Sequence, residues 1–335
     1  SGAMTGDFHV HGIYSPDSPV PQEERVRIFM AEGVDVLVST DHDFITDYAP
    51  HIEALGGRDE LTSIVGEELT TFDYGHYNGF PVRRDPDQRN GGAWDWAGGA
   101  GPGKTPGEIF AWFHGNPGTQ VVQVNHPDGG YWRAVAADVL RGISTADPTN
   151  FRLEVPPADP ETGDTHLWDE GFTAFELANG HSRRQFWSKA RWWLTMVGRG
   201  FSPTGTAVSD THKAIRSLGG SPRTIVFVDR DKDTPATFDQ EHFATAVNAG
   251  RAIGTSGPFF RVVATNGAGD MAGLGDTLDA SGPVTFSVTV DVPAWMHVDK
   301  LEVFANPEDA LVTEVGEPAG DPLVPTQVHP IEFAP

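Results

Sequence analysis

Histidine and carboxylate residues recur at the C-terminal ends of the strands that the sequence predicts. His42 follows the apolar run "VDVLVSTD", Glu68 follows "TSIVGE", His126 follows "QVVQVN", and Asp210 with His212 follows "GTAVS". These runs alternate with helix-like segments such as "PQEERVRIFMAEG", which is the pattern of an α/β fold. In barrels built from β/α units, the C-terminal ends of the strands form the active-site face. The positions therefore predict one polar site at that face.

A pair of histidines two residues apart stands near the start of the chain, in "GDFHVHG". We interpret this run as a strand, on which His9 and His11 point to the same face. Two imidazoles held side by side can clamp a transition metal, although a pair of this kind on its own is more often two ordinary strand histidines. Asp210 and His212 repeat the spacing on a later segment.

Six histidines and three carboxylates, on at least five segments, form the candidate ligand set: His9, His11, Asp17, His42, Glu68, His76, His126, Asp210 and His212. Neutral imidazole suits zinc, iron or manganese, and a carboxylate can bridge two ions. The set is too large for one tetrahedral site and suits two or three divalent ions that share bridging ligands. Because the chain has no cysteine, any metal must be held by nitrogen and oxygen.

The formal net charge of −24 limits the partners of the protein. Such a surface repels nucleic acid and anionic membranes, so neither is an expected partner. A small anionic substrate is compatible with it, because bound cations can reverse the field locally. No apolar run has the length of a transmembrane helix. We therefore expect a small-molecule substrate, and the oligomeric state is left open.

Six ordered motifs resemble the metal-binding motifs of the PHP (polymerase and histidinol phosphatase) superfamily: "GDFHVHGIYSPDS", "VSTDHD", "GEEL", "GHYN", "VNHP" and "VSDTH". The segments "GFTAFELANG", "SPRTIVFV" and "AGRAIGTSGPFF" look like its CehA/McbA branch. Together the motifs cover most of residues 6–305. The resemblance implies an α/β fold, a distorted (β/α)7 PHP barrel, with a centre of two or three metal ions at its C-terminal face.

The resemblance also implies how the ligands are shared among the ions. One ion would be held by His9, His11, Glu68 and Asp210, a second by Glu68, His76 and His126, and a third by Asp17, His42 and His212. Many members carry histidine where Asp17 stands, so the occupancy of the third site is left open. The family spacing favours Glu68 over its neighbour Glu67 as the ligand. Asp7 and Asp43 are expected to orient ligands from behind.

The expected chemistry is hydrolysis by a metal-bridging hydroxide, because a bound cation lowers the pKa of water from about 15.7 toward roughly 7. The leading hypothesis is a phosphoesterase acting on a small phosphomonoester or phosphodiester. The alternative is a carbamate, ester or amide hydrolase, and a third hypothesis is a non-catalytic binding protein stabilised by metal. An insertion at residues 81–104 carries both cations (Arg83, Arg84, Arg89, Lys104) and indoles (Trp94, Trp96), so it does not choose between phosphate and aryl substrates.

The residue pattern divides the chain into three parts. Residues 1–4, "SGAM", are interpreted as an expression scar. Residues 5–257 would form the barrel, and residues 258–335 a small antiparallel β module packed on it. Residues 144–170 form a second Gly/Pro/Asp-rich insertion. Localisation is left open between a secreted or periplasmic protein whose signal segment was removed and a cytoplasmic protein.

Overall fold

The computed structural model describes residues 2–72, 74–97, 104–128, 132, 167–198, 200–305 and 325–330. Residues 144–166 of the second predicted insertion lie outside this part. The described α-helices are α1 (Gln22–Ala31), α2 (Ala49–Ala54), α3 (Pro106–Gly115), α4 (Arg183–Gly198) and α5 (Gln240–Asn248), and short 3-10 helices lie at Arg89–Gly92 and Pro235–Thr237. The described strands are β1 (Ala3–Asp7), β2 (Val36–Ser39), β3 (Thr62–Val65), β4 (Glu67–Thr70), β5 (His76–Phe80), β6 (Val121–Val124), β7 (Ala174–Asn179), β8 (Thr204–Val208), β9 (Arg223–Phe227), β10 (Ala252–Thr255), β11 (Phe259–Thr265), β12 (Met271–Ala272), β13 (Thr285–Asp291), β14 (Lys300–Val303) and β15 (Gln327–Pro330).

Ten of these strands form two five-stranded sheets, in the orders β10-β9-β1-β2-β3 and β4-β5-β6-β7-β8. Strands β1, β2 and β3 run parallel, as do β6, β7 and β8, and the other neighbours in the two sheets are antiparallel. The fold is therefore mixed α/β, which confirms the predicted class. The barrel of seven β/α units stays a prediction.

The sequence predicts one strand, "TSIVGE", that ends before Glu68, but the structure has two strands there, β3 and β4, in different sheets, and Glu68 lies in the second. The break falls at Gly66, where a Cβ atom would lie 2.7 Å from the carbonyl oxygen of Ser39. Because glycine has no Cβ, the chain can pass close to the backbone there and change sheets. The change of sheet carries Glu68 next to His42, with which it forms an isolated parallel bridge.

Strand β1 ends at Asp7, so His9 and His11 lie just beyond it rather than within a strand as predicted. The backbone of Val10 bridges to Thr211, and its N–H donates to Thr40 Oγ1 at 2.7 Å. This segment thus pairs with loop residues in place of a neighbouring strand. At the other end of β1, the predicted scar residues Ala3 and Met4 belong to the strand, and Met4 is buried in the core.

Helix α3 begins as the sequence predicts. Thr105 caps it, since its hydroxyl accepts from the N–H of Glu108 at 3.4 Å while the Glu108 carboxylate accepts from the N–H of Thr105 at 2.9 Å. Pro106 occupies the first helical position, where its missing N–H costs no hydrogen bond. The buried face of the helix, with Ile109 and Phe113, packs into the core beside β5 and β6.

After residue 258 the described strands are all antiparallel. Strands β12, β11 and β13 form one sheet, and β14 pairs with β15. Residues 306–324 and 331–335 of the predicted module lie outside the described part, and the boundary at 257/258 stays a prediction. Within the described part of the chain, each helix is too short or too polar to cross a lipid bilayer.

Candidate metal centre

The side chains of the nine predicted ligands come together around Glu68, a residue of β4 that is fully buried. Its carboxylate oxygens lie 2.7–3.5 Å from ring nitrogens of five histidines: His9, His11, His42, His76 and His126. The chain supplies these rings from segments between residues 9 and 126. The sequence pattern thus located one buried carboxylate that could serve more than one ion.

The group formed by His9, His11 and Asp210 has the dimensions of a divalent metal site. The Asp210 Oδ1 atom lies 3.3 Å from His9 Nε2 and 3.2 Å from His11 Nε2. Bond lengths of about 2.0–2.1 Å place tetrahedral ligands about 3.3–3.4 Å apart. These three buried atoms have no hydrogen-bond partner among the described residues. Buried polar atoms that face one another without a hydrogen bond are costly, so the group fits a cation between them.

Two further groups surround the first. Glu68 Oε1 lies 3.3 Å from His76 Nδ1 and 3.5 Å from His126 Nε2. Asp17 Oδ2 lies 3.5 Å from His42 Nε2 and 3.1 Å from His212 Nε2, and the Asp17 side chain is 55% exposed. His42 can also share an ion with Glu68 and His76, because ligand atoms of these three lie within 4.8 Å of one another. The geometry is compatible with two or three ions and leaves the role of Asp17 a prediction.

Glu176 of β7 is the residue that sequence reasoning missed. The ring of His9 donates from Nδ1 to Glu176 Oε1 at 2.6 Å, and the N–H of His126 donates to Oε2 at 2.5 Å. A carboxylate behind a ligating imidazole fixes its tautomer and leaves Nε2 free for metal. The sequence signal for it was an acidic residue inside the apolar run "FTAFELANG". That run was interpreted only as part of the family resemblance, and the acidic residue itself was not considered.

A Glu176→Gln variant should bind metal less tightly by about 10–100-fold, the usual cost of losing such an outer partner. The amide keeps the shape of the side chain but removes the charge that holds the Nδ1 proton of His9. Zinc affinity measured by competition with a chromophoric chelator tests this. Glu170→Gln, at an exposed acid before the same strand, is the matched control and should bind zinc like the unaltered protein. Equal affinities in all three proteins would contradict the role of Glu176.

His11 is oriented by a second relay that the sequence did not indicate. Its Nδ1 lies 2.8 Å from the Ser15 hydroxyl, which donates to Asp41 Oδ1 at 2.9 Å. The same Asp41 oxygen accepts from the N–H of Gly12 at 2.6 Å. The buried Asp41 therefore fixes the loop that follows His11 and directs the other ring nitrogen of His11 toward Glu68 and Asp210.

Asp7, predicted to orient a ligand, holds backbone rather than a ring. Its Oδ1 accepts from the N–H groups of His9 at 3.3 Å and Ser209 at 3.1 Å, and its Oδ2 accepts from Gly220 N–H at 2.8 Å. The side chain is fully buried. Asp7 thus joins the segment that carries His9 to the segment that leads into Asp210.

Asp43, the other predicted orienting residue, joins a ligand segment to the 81–104 insertion. Its Oδ1 accepts from Thr70 N–H at 3.0 Å and from the Trp96 indole at 2.8 Å. The hydroxyl of Thr70 lies 2.6 Å from His42 Nδ1. Asp43 therefore acts on His42 through Thr70, and any catalytic role for it stays a prediction.

Burial and the neighbouring charges shift the pKa values of the clustered residues in different directions. Burial would raise the pKa of Glu68, but the facing rings of His9 and His42 hold that pKa well below its usual range. Burial lowers the pKa of His11 to about 4. Burial alone would lower the pKa of His42 as well, but Glu68 and Asp17 raise it to about 9. At neutral pH, His11 is thus ready to bind metal, whereas His42 still carries a proton.

Metal uptake involving His42 should therefore release a proton at pH 7. An ion must displace that proton, so His42 should contribute up to about tenfold per pH unit to the rise in affinity until the pH passes its pKa of about 9. His11, whose pKa is about 4, should add nothing to this dependence above about pH 5. Calorimetric zinc titrations at pH 7, in two buffers with different ionisation enthalpies, count the protons released. A His42→Asn variant should release fewer, and equal counts in the two proteins would contradict the assignment.

The remaining candidates from the sequence have other contacts. Lys104 pairs with Glu108 at 3.1 Å and lies over the ring of Trp94, while Arg89 lies 4.0 Å from Asp95. These contacts direct the charges of Lys104 and Arg89 toward neighbouring carboxylates of the insertion and of α3.

Comparisons with known proteins add solved structures of low identity. No family model matches the chain, and no curated protein matches it. A two-domain protein from Bacteroides vulgatus, which contains a predicted PHP-like metal-dependent phosphoesterase, is 16% identical, with 99% of this chain and 96% of that chain covered and a TM-score of 0.49. The lesion-specific endonuclease PfuEndoQ from Pyrococcus furiosus is 11% identical over 75% of this chain and 57% of that chain, with a TM-score of 0.45. An amidohydrolase from Chromobacterium violaceum is 15% identical over 67% and 92%, with a TM-score of 0.39. With TM-scores below 0.5, these likenesses carry no inference about function.

Proposed function

We propose that this protein is a metal-dependent hydrolase whose nine-residue ligand set holds two or three divalent ions of zinc, manganese or iron. One observation carries the proposal, namely the five imidazoles that face the buried carboxylate of Glu68 within 3.5 Å. Neutral imidazole and carboxylate together are the donors that such ions prefer in proteins. A purely structural site closes its coordination with four ligands, so a set of nine favours catalysis over stabilisation.

The favoured reaction is hydrolysis of a small phosphoester. Bound ions of this kind supply a water molecule of lowered pKa as nucleophile and offset negative charge on the ester oxygens. The three carboxylates Asp17, Glu68 and Asp210 neutralise only part of the charge of two or three divalent ions. The result would be a positive pocket in a protein of net charge −24, which attracts a small anion and disfavours a polyanion such as nucleic acid.

A carbamate or carboxylic ester hydrolase is the second candidate, because the same ions can polarise a carbonyl group. The observation that favours it is the uncharged, aromatic character of Tyr14 and Phe72, which are exposed on loops that carry predicted ligands. A non-catalytic, metal-stabilised binding protein is the third candidate.

We also infer that the two five-stranded sheets form one distorted barrel of the PHP type, followed by a β module from residue 258. The two sheets are linked at two places. The His42–Glu68 bridge lies beside the passage from β3 to β4, and the N–H of Ala207 in β8 donates to Thr224 Oγ1 of β9 at 3.0 Å. Together with the close packing of Ala207 against Gly254 of the edge strand β10, these links support a closed arrangement with the ligands at one end.

The test is a comparison of three substrates with protein of known metal content. We expect turnover of p-nitrophenyl phosphate or bis-p-nitrophenyl phosphate after addition of manganese or zinc, and little turnover of 1-naphthyl N-methylcarbamate. The opposite preference would favour the carbamate hydrolase. If metal-loaded protein turned over none of them, the binding protein would become the better interpretation.

A further inference from the structure

Exposed apolar side chains are concentrated on the loops that carry the predicted metal ligands. Of the nine large apolar side chains that are exposed in the described part, five belong to these loops: Ile13, Tyr14, Phe72, Ile215 and Leu218. Two lie between His11 and Asp17, one follows Glu68 in the chain, and two follow His212. Large apolar side chains left exposed beside a polar site are candidates for a binding surface. Their position on the loops that carry the ligands indicates that the substrate itself is the occupant.

Two aromatic pairs in this region flank the segment that contains His42. The ring of Tyr14 stacks on Phe44 with centroids 4.4 Å apart, and Phe44 comes two residues after His42. The ring of Phe72 meets Trp96 edge to face at 5.3 Å. Phe72 is nevertheless 71% exposed, so most of its ring is available for another contact.

The second pair is fixed relative to the metal ligands through Asp43. Its carboxylate holds the Trp96 indole at 2.8 Å, and its carbonyl oxygen accepts from Asn90 Nδ2 at 3.1 Å. Asp43 also has a φ of 50°, a conformation that costs energy for a residue other than glycine. The chain therefore holds an unfavourable backbone geometry at the residue that ties the insertion to His42. Since Phe72 rests on Trp96, the aromatic surface is ordered before a substrate arrives.

We propose that Tyr14, Phe44, Phe72 and Trp96 form a wall that binds an aromatic ring in the alcohol part of the substrate. The inference rests on the proposed phosphoesterase function and specifies its substrate class as phosphoesters of ring-bearing alcohols. The anionic group would face the ligand set, and the ring would lie against the wall. Rings contribute both apolar area and favourable edge or face contacts with other aromatic side chains.

Benzyl phosphate and ethyl phosphate test the wall, because their leaving alcohols have similar basicity and differ mainly in the ring. For metal-loaded protein we expect kcat/KM to be roughly tenfold or more higher for benzyl phosphate, a modest gain for one buried ring. Phe72→Ala should remove most of this preference, because kcat/KM should fall much further for benzyl phosphate than for ethyl phosphate, at the same metal content. Phe286→Ala is the matched control, since Phe286 is 64% exposed on β13 and should not affect the preference.

A binding measurement separates recognition from turnover. Calorimetry should find that benzylphosphonate binds the metal-loaded protein more tightly than ethylphosphonate, with the difference reduced in Phe72→Ala. Equal kcat/KM for the two phosphates, together with equal affinities for the two phosphonates, would overturn the wall but not the phosphoesterase function. A protein or lipid partner would then be the better occupant of the exposed apolar side chains. Failure to hydrolyse either phosphate, or any other phosphoester, would overturn the proposed function and the wall with it.

Discussion

A Glu68→Gln variant should lose most of its metal. Its rate of phosphoester hydrolysis should fall further than the loss of about 10–100-fold that follows when a residue hydrogen-bonded to a metal ligand is removed. The amide is neutral and has one acceptor oxygen, so it cannot bridge two cations as a carboxylate does. Its NH2 group would also face imidazole nitrogens that now surround the carboxylate within 3.5 Å. Metal per protein chain from elemental analysis, together with hydrolysis rates, measures both effects.

The neighbouring residue offers a closely matched control. Glu67 is as fully buried as Glu68, and burial, with Asp43 nearby, raises its pKa well above the usual range. Full burial and this raised pKa both favour the neutral carboxylic acid, for which glutamine is nearly isosteric. Glu67→Gln should keep its metal and its activity. A similar loss of metal in both variants would mean that the change acts through folding, and the central place of Glu68 would have to be abandoned.

The second large effect is expected for His9→Ala, which should abolish activity and lower metal content. His9 is fully buried and contacts both Glu68 and Asp210 through Nε2, so its removal takes a ligand from the group with the best metal geometry. A thermal readout is independent of activity. Excess zinc stabilises a folded protein by about 4 kcal/mol at 1,000 times the Kd, so it should raise the Tm of the unaltered protein much more than that of the variant.

His114→Ala provides the comparison for this experiment. His114 lies at the end of α3, where its Nε2 contacts the carbonyl oxygen of Gly171 at 2.7 Å, and it has no predicted role in metal binding. Activity, metal content and the zinc-dependent rise in Tm should all remain as they are. If His114→Ala and His9→Ala lost activity to the same extent, the ligand assignment would be contradicted.

The convergence of most candidate ligands could be predicted because they follow strand-like runs or repeat a short spacing. Local pattern is enough to place His42, Glu68 and His126 near strand ends, and strand ends in an α/β fold meet at one face. Glu176 and Asp41 escaped this reasoning because they act through hydrogen bonds to ligands. A buried acid behind an imidazole has no spacing of its own, and its role depends on contacts between residues as distant as His9 and Glu176.

The arrangement of the sheets was less accessible from sequence than the strands themselves. Apolar runs identify strands, but which strands pair, and in which direction, depends on packing across the whole chain. The apolar run across Gly66 did not indicate a change of sheet. Glycine is required there because the Ser39 backbone lies so close that a Cβ atom would clash with it, and that contact is not visible in the sequence. The first strand was predicted to include His9 and His11, but β1 ends before them. The reason is similar, because the backbone partners of Val10 lie in distant loops.

The carboxylate of Glu176 couples two of the predicted ion positions. One oxygen holds the ring of His9 and the other holds the backbone of His126, and these two residues are predicted to bind different ions. Ordering either residue at its ion fixes the same carboxylate, which then needs less rearrangement to serve the other. Filling of the two positions should accordingly be cooperative, with singly loaded protein scarce at intermediate metal concentrations.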